Sequence, residues 1–169
     1  MRRLEGKKLI GVVDTMFARV DMGGLVLAAL AEKQGRGEVW DTIRRTVPGF
    51  KDLGVAAKQL IEDEGCHIVV ACGMPGAADL DRACTHEASL GIIAAQMLTS
   101  IPVLEVFVHE VEGGGDDAAL VAVCRDRCAG HARNAYDMLF APETLVARAG
   151  MGVRQGQPDA GPILLPEPT

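Results

Sequence analysis

The sequence predicts an α/β fold in which a four-stranded parallel sheet is flanked by helices, and three observations carry that prediction. Four short runs rich in β-branched apolar residues recur along the chain, each too brief for a helix. Between and after them lie stretches of helical period, ten or more residues long, and strands alternating with such helices form βαβ units whose crossovers leave the strands parallel. The length, 169 residues with 49% apolar, suits one compact domain with a sizeable core. The whole chain, 1–169, is read as one domain with an irregular tail from about residue 151.

Leu9-Ile-Gly-Val-Val13 is the first strand, ending at Asp14-Thr15. Asp21 to Gln34 has helical period and is closed by Gly35, a residue that accepts the positive φ of a helix stop. Val39 to Val47 alternates, with Arg44 and Arg45 among Val39, Ile43 and Val47, as an edge strand does. Asp52 to Glu64, closed by Gly65, makes the second helix. His67-Ile-Val-Val-Ala-Cys72 and Pro102-Val-Leu-Glu-Val-Phe-Val108 are again continuous and β-branched, as strands are, with Asp79 to Ser100 as the helix between them. Asp116 to Phe140 is the last long helix. Pro142, suited to a first helical turn, starts a short one through Ala149. Beyond it Gly150, Gly152, Gly156, Pro158, Gly161, Pro162, Pro166 and Pro168 predict no regular structure.

Seventeen Lys and Arg stand against 23 Asp and Glu, a net charge of −6. No basic run follows the short Arg2-Arg3 and Lys7-Lys8 pairs, so nucleic acid and anionic membrane are poor partners. The longest nearly apolar stretch, Leu90 to Leu98, is about half of what a bilayer span needs and is interrupted by Gln96. Glu5, Gly6, Lys7 and Lys8 precede a first apolar run too short for a secretory signal, which points to the cytoplasm. Cys66, Cys72, Cys84, Cys124 and Cys128 are an odd set without the density of a disulfide scaffold, as expected in a reducing compartment.

In an open parallel sheet ligands bind outside the carboxyl ends of the strands. Four segments converge there: 14–21, 46–52, 73–79 and 109–116. Pro48-Gly49 and Pro75-Gly76 favour tight turns, which either present backbone N–H groups to a ligand or simply turn strand into helix. Phe17, one of six aromatic residues, sits just past a strand end, open to a stacking role or to core packing. Phe50 after Pro48-Gly49 reads equally as a staple for the helix beginning near Lys51. His86 lies one turn after Arg82 on the third helix, with Glu87 pointing elsewhere, a pattern shared by exposed polar faces and acid–base groups. His109, beside Glu110 at the end of the fourth strand, is placed either to move a proton near neutral pH or to cap.

Cys124, Cys128 and His131 share a helix face at i, i+4 and i+7, a spacing that offers three soft ligands to zinc. A closed site needs a fourth, and no C-x-x-C supplies it, so buried thiols are the expectation. Gly113-Gly-Gly115 lacks the Lys and Ser/Thr of a phosphate loop, and no G-x-G-x-x-G follows a strand.

The loops carry a resemblance. Val12-Val-Asp-Thr-Met-Phe-Ala-Arg-Val-Asp21, Arg45-Thr-Val-Pro-Gly-Phe-Lys-Asp-Leu53 and Gly73-Met-Pro-Gly76 resemble the archaeal-type riboflavin synthases. So do Thr85-His-Glu-Ala-Ser-Leu-Gly91, Glu105-Val-Phe-Val-His-Glu110, His131-Ala-Arg-Asn134, Arg154-Gln-Gly156 and Asp159-Ala-Gly-Pro162. The resemblance implies a three-layer, flavodoxin-like or lumazine synthase-like fold that assembles as a homopentamer with active sites at subunit interfaces. The third helix suits such burial, since Leu90, Ile92, Ile93, Met97 and Leu98 surround nearly its whole circumference, although the core of a large domain would take them too.

The implied activity is that of a transferase at the last step of riboflavin biosynthesis: two molecules of 6,7-dimethyl-8-ribityllumazine give riboflavin and 5-amino-6-ribitylaminouracil. No redox cofactor is implied, and magnesium enters by family resemblance only. By that resemblance Phe17 stacks on a ring, Val47, Pro48 and Gly49 offer backbone contacts, and Lys51 and Asp52 bind ribityl hydroxyls. Met74, Pro75 and Gly76 line the ring site with His86 and Glu87 nearby, while Glu105, His109 and Arg127 approach from the adjacent subunit. His86 or His109 assists deprotonation of the substrate methyl group. The related lumazine synthases share the Val-Pro-Gly segment, but their Gly-(Glu/Thr)-Thr phosphate turn and following histidine are missing from Gly76-Ala-Ala-Asp79-Leu80. A flavin-binding module without catalysis is the alternative of another class, because fold alone does not fix function.

Overall fold

The computed structural model describes residues 7–35, 37–154 and 157–164. Arg2-Arg3, Glu5-Gly6, Gln155-Gly156 of the tail motif, Pro166 and Pro168 lie outside the described residues. The elements run β1 (Lys8–Thr15), α1 (Met22–Ala31), β2 (Trp40–Val47), α2 (Leu53–Glu62), β3 (Ile68–Gly73), α3 (Asp79–Thr99), β4 (Val103–Phe107), α4 (Asp117–Phe140) and α5 (Pro142–Arg148). Two 3-10 turns, Phe50–Asp52 and Glu110–Gly113, stand where the sequence suggested only loops.

The four strands form one parallel sheet in the order β2-β1-β3-β4. The alternating β2 takes an edge, as its pattern predicts, and β3 is buried along its whole length. Successive strand residues point to opposite faces, and each face has its own core. Ile10, Val12, Ile68, Val70 and Val106 pack against Met22, Val26 and Leu30 of α1 and Leu120, Cys124 and Cys128 of α4. Val13, Val69, Ala71 and Val103 pack against Leu53, Ala57 and Leu60 of α2 and Ala88 and Ile92 of α3. The result is three layers, helices on both sides of the sheet. The helices α2 and α3 approach so closely that a Cβ on Gly54 would stand 2.9 Å from the backbone of Gly91.

Helix ends follow local chemistry. Asp21 caps α1 by accepting from the Gly24 N–H at 3.1 Å, and Asp116 caps α4 by accepting from the Ala118 N–H at 2.8 Å. Helix α1 stops at Ala31, short of Gln34, and passes through a turn to Gly35, whose φ is +84°. Helix α3 ends on Ser100 at φ 55° without a glycine. There Thr99 Oγ1 accepts from the Ile101 N–H at 3.3 Å, and Gln96 Oε1 from the Val103 N–H at 3.0 Å. The described tail is irregular; the Ala160 N–H donates to the Gly152 carbonyl at 2.9 Å, and the Arg154 N–H to Asp159 Oδ1 at 2.9 Å. Among the described residues no helix is long and apolar enough to cross a membrane.

Candidate active site

At the carboxyl edge of the sheet, on the α2/α3 side, the last rung is a row of four residues. Val47 of β2 pairs with Thr15 of β1, Phe107 of β4 pairs with Gly73 of β3, and the Asp14–Cys72 pairing one step earlier sets Thr15 beside Gly73. Pro48-Gly49 turns the chain back over this row, and the Asp52 carboxylate fixes the turn by accepting from the Gly49 N–H at 3.0 Å. Phe50 is thereby laid on Gly73. Its ring centroid is 4.9 Å from that of Phe107, edge-on at 88°, and 5.4 Å from that of Phe17. Phe50 is 6% exposed and Phe17 47%. Three rings thus run from the interior to an open outer face, where a flat ligand has a platform.

Lys51 Nζ stands 2.6 Å from Glu87 Oε2 and ties this turn to α3. The hydrogen bond raises the Lys51 pKa and lowers that of Glu87. His86 precedes Glu87 on the exposed side of α3. Glu105 points to the same face of the sheet, where burial pushes its carboxyl above the usual range against the pull of a hydrogen bond with Ser89. In the third loop Met74 and Pro75 are buried, and the Pro75 carbonyl accepts from the Glu110 N–H at 3.1 Å. Gly76 is followed by an acidic helix start: Asp81 Oδ2 accepts from the Ala78 N–H at 3.2 Å and stands 2.4 Å from where a Cβ on Gly76 would lie. The structure therefore gathers Phe17, Val47, Pro48, Gly49, Lys51, Asp52, His86 and Glu87 on one side of the edge, while Glu105 lies two residues before the edge row, against Ser89 of α3.

Arg127 comes from α4, on the other side. Its guanidinium donates to the Phe107 carbonyl at 2.8 Å and to both oxygens of Glu112, at 2.9 and 2.5 Å. Glu112 also accepts from the His109 N–H at 2.8 Å. Burial favours protonation of Glu112, yet Arg127 and this backbone N–H hold its carboxyl below the usual range. In this chain Arg127 positions the segment that carries His109. On the same side a cleft of about 270 Å³ is lined by Arg19, Ala77, Glu110, Val111, Gly115, Asp116, Asp117 and Leu120; the first six fall in the segments expected to converge there, although none is among the residues assigned a role from the sequence. Arg19 spans it, donating to both oxygens of Asp117 at 2.8 and 2.9 Å.

Sequence reasoning also passed over Asp14 and Arg44. Asp14 is 5% exposed; both its oxygens accept from Arg44, and Oδ1 also from Thr46 Oγ1 at 2.8 Å. Arg44 reaches on to Asp21 Oδ1 at 2.5 Å, which holds that carboxyl below its ordinary range. The clamp joins the ends of β1 and β2 to the start of α1, and so sets the base from which residues 16–20 leave. The hint in the sequence is the Arg44-Arg45 pair near the end of an alternating edge strand.

Cys124 and Cys128 are buried in the α4 core with Cys72. Burial raises Cys124 to about 11, and a hydrogen bond with Cys128 together with burial raises Cys72. Burial, with Arg127 nearby, lowers His131 to about 4. Among the described residues no three His, Cys, Asp or Glu side chains converge to hold a metal ion. Of the carboxylates lining the cleft, Asp117 accepts from Arg19 with both oxygens and Asp116 Oδ1 accepts from the Ala118 N–H.

The fold and this edge define a class: a parallel α/β protein whose site is built from the loops after its strands, with stacking rings at the centre. The sequence model of the 6,7-dimethyl-8-ribityllumazine synthase family matches residues 7–142. The riboflavin synthases of Methanothermobacter thermautotrophicus and Methanothermobacter marburgensis are each 51% identical over 154 residues, 91% of this chain and 98% of theirs. That of Archaeoglobus fulgidus is 40% identical over 155 residues, 92% of this chain and 98% of its own. The chain belongs to the lumazine synthase-like family and, within it, to the archaeal-type riboflavin synthases.

Proposed function

We propose that the protein catalyses the dismutation of two 6,7-dimethyl-8-ribityllumazine molecules to riboflavin and 5-amino-6-ribitylaminouracil. The observation that carries this reading is the exposed Phe17 ring on the Phe50–Phe107 pair, inside loops whose sequences match the synthases. One substrate loses a proton from its C7 methyl group, the carbanion adds to the second ring, and the pentacyclic adduct fragments with a four-carbon unit transferred. Holding two flat rings face to face can lower such a barrier by up to roughly 7–11 kcal/mol, so positioning is the main demand. Phe17 stacks on one ring, the Val47-Pro48-Gly49 backbone meets its edge, and Lys51, Asp52 and Glu87 meet ribityl hydroxyls. Pro75 and Gly76 form the floor, with Met74 packed beneath them in the core on the α1/α4 side, and Glu105 contacts substrate across the subunit boundary. His86 or His109 takes the methyl proton.

The lumazine synthase reading is disfavoured by Asp81. A helix start is a ready seat for phosphate, but here a carboxylate already fills it beside Gly76, and a phosphorylated four-carbon substrate would meet like charge.

We further propose a homopentamer with shared sites in the cytoplasm. Supporting assembly, Leu90, Ile93, Met97 and Leu98 are 51–77% exposed along one side of α3, an apolar face of the kind that marks an interface. Five thiols, four buried and one half-buried, suit a reducing compartment.

The test is to incubate purified protein with 6,7-dimethyl-8-ribityllumazine alone, with and without magnesium, and follow riboflavin absorbance against a protein-free control. One riboflavin per two lumazines, faster than the control, is expected; a rate equal to the control under both conditions overturns the reading.

A further inference from the structure

Thr15 ends β1 in the row Val47–Thr15–Gly73–Phe107, on the face where Val13 packs with Val47 and Phe50. It is 4% exposed, and among the described residues its Oγ1 is the one buried side-chain polar atom without a hydrogen-bond partner. Asp14 points to the opposite face and is satisfied by Arg44 and Thr46. A hydroxyl buried without a partner costs stability, and valine has the same shape without that cost. Valine already fills positions 12 and 13 of this strand. The hydroxyl is therefore a stability liability at a place where an apolar residue fits, and the place is the edge on which the ring platform stands. Gly73 beside it is covered by the Phe50 ring, and Phe17, two residues further on, caps that ring.

Resting on the function proposed above, we infer that Thr15 is a further substrate-binding residue. Its hydroxyl donates to a ring carbonyl or unprotonated ring nitrogen of the bound lumazine when the half-exposed Phe17 swings aside to admit the edge of the heterocycle. One short segment would then supply both the stacking face, from Phe17, and an in-plane polar contact, from Thr15. Stacking alone leaves a flat ring free to slide and rotate; an in-plane hydrogen bond fixes it. Two rings that must meet in one relative orientation need that restraint.

The test compares wild type, Thr15→Val and Thr15→Ser, measuring thermal midpoint, lumazine affinity by fluorescence titration, and kcat and KM for riboflavin formation. Thr15→Val is expected to melt at or above the wild-type temperature while binding lumazine about three- to ten-fold more weakly, the range of one neutral hydrogen bond. Thr15→Ser, which keeps the hydroxyl, is expected to bind within about two-fold of wild type. A purely structural threonine would not move stability and affinity in opposite directions. Thr15→Ala, equally without a hydroxyl, carries the comparison if valine disturbs the fold. Wild-type turnover with undiminished affinity in the hydroxyl-free variants overturns the role of Thr15 and leaves the activity standing. So does a serine variant as weak as the valine one. A wild-type protein that neither binds nor converts lumazine overturns both.

Discussion

The Phe50 ring lies directly on the backbone of Gly73: a Cβ built on that glycine would stand 2.3 Å from Cε1 of the ring. Phe50 is held from its other side by Phe107, so it has little room to retreat. Gly73→Ala is expected to destabilise the fold by about 1–3 kcal/mol, the usual cost of overpacking a filled core. Urea unfolding measures it. The variant should also show weakened lumazine binding, because Phe17 rests on the ring that is displaced. Unchanged unfolding would mean that Phe50 does not sit on Gly73 in solution.

Phe17 and Phe50 touch, yet their substitutions should separate stability from activity. Phe50 is almost fully buried, and Phe50→Ala is expected to cost about 3–5 kcal/mol, as other buried phenylalanines do. Phe17 is half-exposed; Phe17→Ala is expected to change unfolding by less than about 1 kcal/mol while lowering kcat/KM by about ten-fold or more through the lost stacking face. Unfolding curves and steady-state kinetics on the same preparations decide. Wild-type kinetics in a folded Phe17→Ala variant would remove Phe17 from the site.

The difference between these two phenylalanines marks the limit of what the sequence discloses. Strands such as Ile68–Gly73 are legible because a short β-branched run admits few alternatives, and the stops at Gly35 and Gly65 because their residues favour positive φ, here +84° and +80°. Phe17 is legible as a site candidate because position after a strand is a local property. That Phe50 belongs over Gly73, or that Thr15 stands between Val47 and Gly73, depends on register between strands that the linear pattern does not encode. Asp14 and Arg44 are likewise thirty residues apart. The early end of α1 and the two 3-10 turns were lost because they are settled by tertiary packing and not by periodicity.

His131 gives the fold a pH dependence. Burial, with Arg127 adding to it, lowers its pKa from 6.5 to about 4, so between those values the unfolded chain binds more protons than the folded one. The stabilising contribution is complete above about pH 6.5 and is lost as pH falls towards 4. The ring is part-exposed and screened, so the loss is expected to be about 1–2 kcal/mol. Glu105, raised by burial, works in the opposite sense, losing its contribution as pH rises through its folded value. His131→Gln should flatten the fall of unfolding free energy across that window. A slope identical to wild type would assign the dependence elsewhere.

The outer side of α3 is apolar and exposed. Ile92 and Ala95 face the core, while Ile93 and Met97, one turn apart, are 51% and 77% exposed, with Leu90 and Leu98 beside them. Leaving such a face in water forfeits about 25 cal/mol per Å² of what burial would return, and another copy of this chain is the occupant that the proposed pentamer supplies. Ile93→Glu combined with Met97→Glu places two charges in that contact without touching the core. The double variant is expected to sediment as a smaller species than wild type, keep its helical circular dichroism, and lose most of its riboflavin-forming rate because Glu105 no longer reaches a neighbouring site. An unchanged sedimentation coefficient would show that α3 is solvent-facing in the assembled protein and that the subunit boundary lies elsewhere.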